Sequence, residues 1–157
     1  KATDRARPLL EAAATAGVLR PMLYLQLARL RYSDMKDATG SGARVSAAQA
    51  APILEVLEKA RTLQPVTAEV YQCFVVLFAD LAEPLTPAQH ATIDEAARLF
   101  PRDAELIFAG AKLKRDQGDP AGAAHLIDLG LAATSNSSLR AKFERLRGTL
   151  TARLETP

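Results

Sequence analysis

Residues 104–133 read AELIFAGAKLKRDQGDPAGAAHLIDLGLAA, and this stretch decides the fold. It divides into two amphipathic helical segments joined by Gln117-Gly118-Asp119-Pro120. Gly118 suits the left-handed conformation that ends a helix. Asp119 suits the N-cap of the next helix, where its carboxylate accepts free N–H groups, and Pro120 suits the first turn. Small residues (Ala109, Gly110 and Ala111, then Ala123, Ala124 and Gly130) allow the two helices to approach closely. The prediction is a helical hairpin.

Outward from this hairpin the same punctuation recurs. On the N-terminal side, helices are expected over Arg5–Ala16, with Asp4 as cap and Leu9, Leu10 and Ala13 on one face, and from Pro21 to about Ser33. The second of these is apolar almost all round, which predicts burial between neighbours. Residues 34–45 (DMKDATGSGARV) break the pattern and read as a flexible surface insertion around Gly40-Ser41-Gly42. Ser46 with Gln49 forms a capping box for a helix to about Thr62, with Pro52 as a second candidate for its start. Thr67 is expected to cap Ala68–Ala82, and Thr86 to cap Pro87–Phe100. Asp103 caps the opening hairpin. After the turn Ser135-Asn136-Ser137-Ser138, the residues Leu139, Phe143, Leu146 and Leu150 recur at i, i+4, i+7 and i+11, a single apolar stripe. The opposite face carries Arg140, Lys142, Glu144, Arg145, Arg147 and Arg153, as suits a helix that seals the end of an array.

Three hairpins fall into register. Tyr24, Tyr71 and Ile107 each begin one pattern, with Leu27, Phe74 and Gly110 three residues later and Ala28, Val75 and Ala111 four later. The offsets are 71 − 24 = 47 and 107 − 71 = 36. The excess of 47 − 36 = 11 corresponds to the 34–45 insertion. Ala60-x4-Pro65 and Ala96-x4-Pro101 also superpose. A period in the mid-thirties built from helix–turn–helix units marks an α-solenoid. The last hairpin resembles a tetratricopeptide repeat: large Ile107, small Gly110 and Ala111, the Gly118-Asp119 turn, then Ala123, Ile127 and Gly130 at that family's small–large–small spacing. Residues 68–101 match more loosely through Tyr71, Phe74, Phe78, Ile93, Ala96 and Pro101, with Val75 and Gln89 departing from the pattern. Residues 21–65 match once the insertion is allowed.

The resemblance implies an all-α, right-handed α-solenoid of antiparallel helix pairs, about three tetratricopeptide-like hairpins plus flanking helices, forming one domain over 1–157. It implies a concave face, lined by the first helix of each pair, that binds a peptide or protein surface without catalysis. In this register the face is formed by Met22, Leu25, Arg29 and Tyr32, then Glu69, Gln72, Val76 and Asp80, then Glu105, Phe108, Lys112 and Arg115. Mixed charge with a few apolar groups suits protein recognition. The dense Lys/Asn arrangement of those family members that clamp a terminal carboxylate is missing. A second reading, from another class, is a helical accessory domain of a larger enzyme. The start at Lys1 rather than Met reads as a piece of a longer protein. The exposed first helix, with Leu9 and Leu10, offers an end for weak self-association.

Other chemistry finds little support. The charge of +2, from 20 basic and 18 acidic residues, provides no strong field toward nucleic acid or membrane. No apolar run approaches the roughly 18–20 residues of a membrane-spanning helix. The basic C-terminal helix suggests RNA binding as a weaker third reading, but few aromatics are interleaved for base stacking. The single cysteine, Cys73, rules out an internal disulfide and reads as a buried, inert thiol. His90 with Asp94, and His125 with Asp128, share helix faces and together make a conceivable metal set. The preferred reading of both histidines is solvent exposure, and no cofactor, metal or catalytic residue is assigned.

Overall fold

The computed structural model describes the backbone of residues 2–40 and 42–154 and the side chains of 6–40 and 42–150. These residues form eight α-helices: α1 Ala2–Thr15, α2 Pro21–Thr39, α3 Ala47–Thr62, α4 Ala68–Asp80, α5 Pro87–Leu99, α6 Ala104–Asp116, α7 Pro120–Ala133 and α8 Ser137–Leu154. They fall into two compact units, one ending at Glu83 and one beginning at Pro84.

In the first unit α2 packs against α1, α3 and α4, and α3 against α4. Its core is Leu25, Leu27, Ala28, Ile53, Leu57 and the aromatic face of α4, where Tyr71, Phe74 and Phe78 are each about 1% exposed. The capping box starts α3: Gln49 N–H donates to Ser46 Oγ (3.3 Å) and Ser46 N–H to Gln49 Oε1 (2.9 Å). Pro52 therefore lies inside the helix rather than at its start. Thr67 precedes α4 but its side chain accepts no capping hydrogen bond. At the other end of the unit, α1 begins before Asp4, whose side chain lies outside the described residues. Leu9 turns outward, 72% exposed, while Leu10 and Ala13 are half-buried.

The largest departure from the sequence reading is the 34–45 segment. Helix α2 continues past Ser33 to Thr39 because long-range partners hold its last turns. Tyr32 Oη donates to Asp80 Oδ2 at 2.7 Å, Lys36 Nζ donates to the same oxygen at 3.0 Å, and Asp34 pairs with Arg7. Gly40, at φ 87°, then ends the helix. Val45, fully buried, forms an isolated parallel β-bridge with Leu81. Its N–H donates to the Asp80 carbonyl (2.9 Å), and Ala82 N–H donates to the Val45 carbonyl (2.8 Å). Arg44 adds a bond to the Leu81 carbonyl at 2.8 Å. Arg44 and Val45 are thus pinned to the end of α4, and those bonds stop α4 at Asp80 rather than Ala82. The insertion itself includes residue 41, which lies outside the described residues.

In the second unit the local signals operate as the sequence predicts. Thr86 and Gln89 form a capping box at α5, with bonds of 3.3 and 2.8 Å. Asp103 Oδ1 accepts from Leu106 N–H at 3.0 Å, and Asp119 Oδ1 from Gly122 N–H at 2.8 Å. Between α6 and α7, Gly118 takes φ 79° in the left-handed region. Asn136 caps α8 through Leu139 N–H at 3.1 Å. Leu139, Phe143, Leu146 and Leu150 are all buried. Helix α6 packs on α5, α7 and α8, and α7 on α8. Two glycines set the spacing. A Cβ on Gly110 would stand 2.9 Å from Ile93 Cγ2, and one on Gly130 would stand 2.0 Å from Phe143 Cζ.

Candidate functional site

In the first unit, side chains from three helices surround an open hollow of about 270 Å³. Helix α2 contributes Arg29 and Tyr32, α3 contributes Ile53 and Leu57, and α4 contributes Gln72, Cys73 and Val76. The helical period explains the set: Arg29 and Tyr32 are three apart, as are Cys73 and Val76, with Gln72 and Val76 four apart. The floor is core aliphatic. The rim carries one guanidinium, one carboxamide and Val76, which is 49% exposed. Tyr32 does not present a free hydroxyl, because it donates to Asp80. Burial, then the hydrogen bond and the charge of that carboxylate, push the Tyr32 phenol well above its ordinary range.

Four of the residues placed by register on a single face are therefore brought together: Arg29, Tyr32, Gln72 and Val76. Others are not. Leu25 is core at 1% exposure. Asp80 is turned to Tyr32 and Lys36 and does not line the hollow. Met22 and Glu69 are exposed but lie outside its lining. Cys73, expected to be buried, is half-buried and lines the hollow.

In the second unit Phe108, Lys112 and Arg115 of α6 line a groove of about 290 Å³ with Lys142, Arg145, Leu146 and Thr149 of α8. Glu105 is exposed and lies off this groove. Arg115 reaches across to Thr149 Oγ1 at 3.3 Å while pairing with Asp116 at 2.7 Å.

A third cluster escapes the sequence reading. Lys114 is only 3% exposed, and its Nζ sits 2.9 Å from Asp94 Oδ1 and 3.1 Å from Asp119 Oδ2. His90 Nδ1 is buried, 3.9 Å from the same Asp119 oxygen. Burial alone pushes the Lys114 ammonium down, but its hydrogen bonds to Asp94 and Asp119 outweigh this and hold it above the ordinary lysine range. Burial likewise raises the Asp119 carboxyl, but the Gly122 N–H and the Lys114 ammonium outweigh it and hold that carboxyl low. Asp94, paired with His90 on sequence, is thus taken by an ammonium. A signal was present: Ile107, Gly110, Ala111 and Lys114 recur at i, i+3, i+4 and i+7, which places the lysine in the buried stripe. His125 is exposed on α7. Among the described residues no three His, Cys, Asp or Glu side chains gather as a metal set. None of their helices is long and apolar enough to cross a membrane.

No protein-family model, curated protein or solved structure matches this chain.

Proposed function

We propose that the chain is a non-catalytic interaction module, built from degenerate tetratricopeptide-like hairpins of a right-handed α-solenoid, that takes a peptide or protein surface on the exposed faces of α2 and α4. One observation carries the reading. Arg29, Tyr32, Gln72 and Val76, chosen by repeat register alone, line one open, apolar-floored hollow. Such a hollow suits a partner's apolar side chain, with Arg29 and Gln72 supplying polar rim contacts. The Lys114 cluster is read as structural, since each of its charges is satisfied within the second unit.

Affinity capture with the wild type and with Val76→Glu as baits tests this. An exposed apolar residue at the centre of an interface is worth on the order of 2 kcal/mol, so prey affinity should fall about thirty-fold with the charged variant. Prey retained equally by both baits would place the interaction elsewhere.

A further inference from the structure

The α6–α8 groove of the second unit carries a concentration of positive charge, most of which no carboxylate among the described residues neutralises. Four cations line it: Lys112 and Arg115 from α6, Lys142 and Arg145 from α8. Arg115 is paired with Asp116. Among the described residues no carboxylate lies within ion-pair distance of Lys112, Lys142 or Arg145. The rest of α8 behaves differently. Arg140 pairs with Glu144 at 3.4 Å and Arg147 with Asp128, so these two cations beside the groove are matched, whereas Lys112, Lys142 and Arg145 within it have no carboxylate partner among the described residues.

The floor between these cations is apolar. Leu146 is buried at 4% exposure, and Phe108 is half-buried, its ring set edge-on to Phe143 with centroids 5.1 Å apart and planes at 89°. The Phe143 ring is fully buried and holds Phe108 in place. A fixed aromatic beside an aliphatic side chain, ringed by ammonium and guanidinium groups, complements an apolar side chain flanked by carboxylates.

We propose that this groove binds an acidic peptide segment whose carboxylates pair with Lys112, Lys142 and Arg145 and whose central apolar side chain seats on Phe108 and Leu146. The proposal rests on the interaction-module reading and adds the chemistry of the partner. A nucleic acid fits less well. Its phosphates repeat along a strand and call for a stripe of free cations, whereas here the neighbouring arginines of α8 are already neutralised. The phosphate backbone also offers no apolar group for the Phe108–Leu146 floor.

The probe is a fluorescein-labelled peptide, Gly-Glu-Asp-Phe-Glu-Asp-Gly, titrated with the whole chain by fluorescence anisotropy at low ionic strength. Companion peptides replace every acid by its amide, or Phe by Ala. A uridine oligomer of the same net charge is the nucleic-acid arm. The acidic peptide is expected to bind with a Kd of about 0.1–1 mM or tighter. The amide companion should bind at least about tenfold more weakly, and the Ala companion about fivefold more weakly. Lys142→Ala with Arg145→Ala should weaken the acidic peptide about tenfold, and Arg140→Ala should leave it unchanged. All of these side chains are exposed, so folding is checked by an unchanged circular dichroism melt. No binding at about 1 mM peptide, or binding indifferent to Lys142 and Arg145, overturns the proposal. Tighter binding of the uridine oligomer through the same two cations also overturns it, in favour of nucleic acid. Each of these failures leaves the Val76 capture result standing or falling separately, because that test reads the α2–α4 hollow.

Discussion

Gly130→Val is expected to destabilise the second unit by about 3 kcal/mol, lowering its melting temperature by roughly 15 °C. A Cβ at Gly130 would lie 2.0, 2.3 and 2.7 Å from Phe143 Cζ, Cε1 and Cε2. No real pair of carbons tolerates this, so α7, α8 or the ring must move. The ring has no room: Phe143 is fully buried and its neighbour Phe108 meets it edge-on. Replacing an interior helical glycine ordinarily gains up to about 1 kcal/mol, and that gain is too small to offset the overpacking. Gly148→Ala on α8 serves as the contrast, since a Cβ there meets nothing within 4 Å. It should raise stability by about 0.5–1 kcal/mol. Thermal melts followed by circular dichroism check both. A Gly130→Val protein that melts with the wild type would mean that α7 and α8 do not approach this closely.

The buried lysine should show a marked asymmetry. Asp94→Ala with Asp119→Ala leaves an ammonium whose side chain is 4% exposed without a carboxylate, and removes the α7 cap. Breaking a fully buried pair costs about 3–5 kcal/mol, and a lost cap about 1. Because the Asp94 side chain is 53% exposed and a lysine can reach for water, the expected loss is about 3 kcal/mol. Lys114→Met should cost about 1 kcal/mol or less, because Asp94 and Asp119 then face water and Asp119 still caps Gly122. Urea titration of the two variants decides it, and equal losses would contradict the account. The pH dependence follows the same geometry. The Asp119 carboxyl is held below its ordinary 3.8, so its contribution is present above that pH and is lost as pH falls through the lower folded value. Lys114 is held above its ordinary 10.5, so its contribution is present below that pH and is lost as pH rises through the higher folded value. Between these limits both contributions are present in full.

Features carried by neighbouring residues were legible in the sequence. The capping boxes Ser46–Gln49 and Thr86–Gln89, the caps Asp103 and Asp119, the left-handed Gly118 and the Leu139–Leu150 stripe each depend on a few adjacent side chains. Features set by distant partners were not. The polar run after Ser33 reads as a loop, yet it stays helical because Tyr32 and Lys36 reach Asp80 and Asp34 reaches Arg7. Val45 is an isolated apolar residue in a loop sequence, and nothing local reveals its bridge to Leu81. Leu25 was misplaced because α2 is apolar all round and gives no phase by which to choose its outer face. Thr67 has the residue type of a cap without its hydrogen bond. For the candidate site, the period put Arg29, Tyr32, Gln72 and Val76 on one face, and the four line one hollow. The basic groove was only half visible, because Lys142 and Arg145 belong to a helix that the repeat register does not include.

The most direct measurement is site-specific photocrosslinking with benzoylphenylalanine placed at position 76, and at exposed position 125 on α7 as control. If the α2–α4 hollow receives the partner, irradiation of the captured complex yields a covalent adduct from position 76 and none from position 125. An adduct from position 125 alone, or equal adducts from both, would contradict an interaction seated on that hollow.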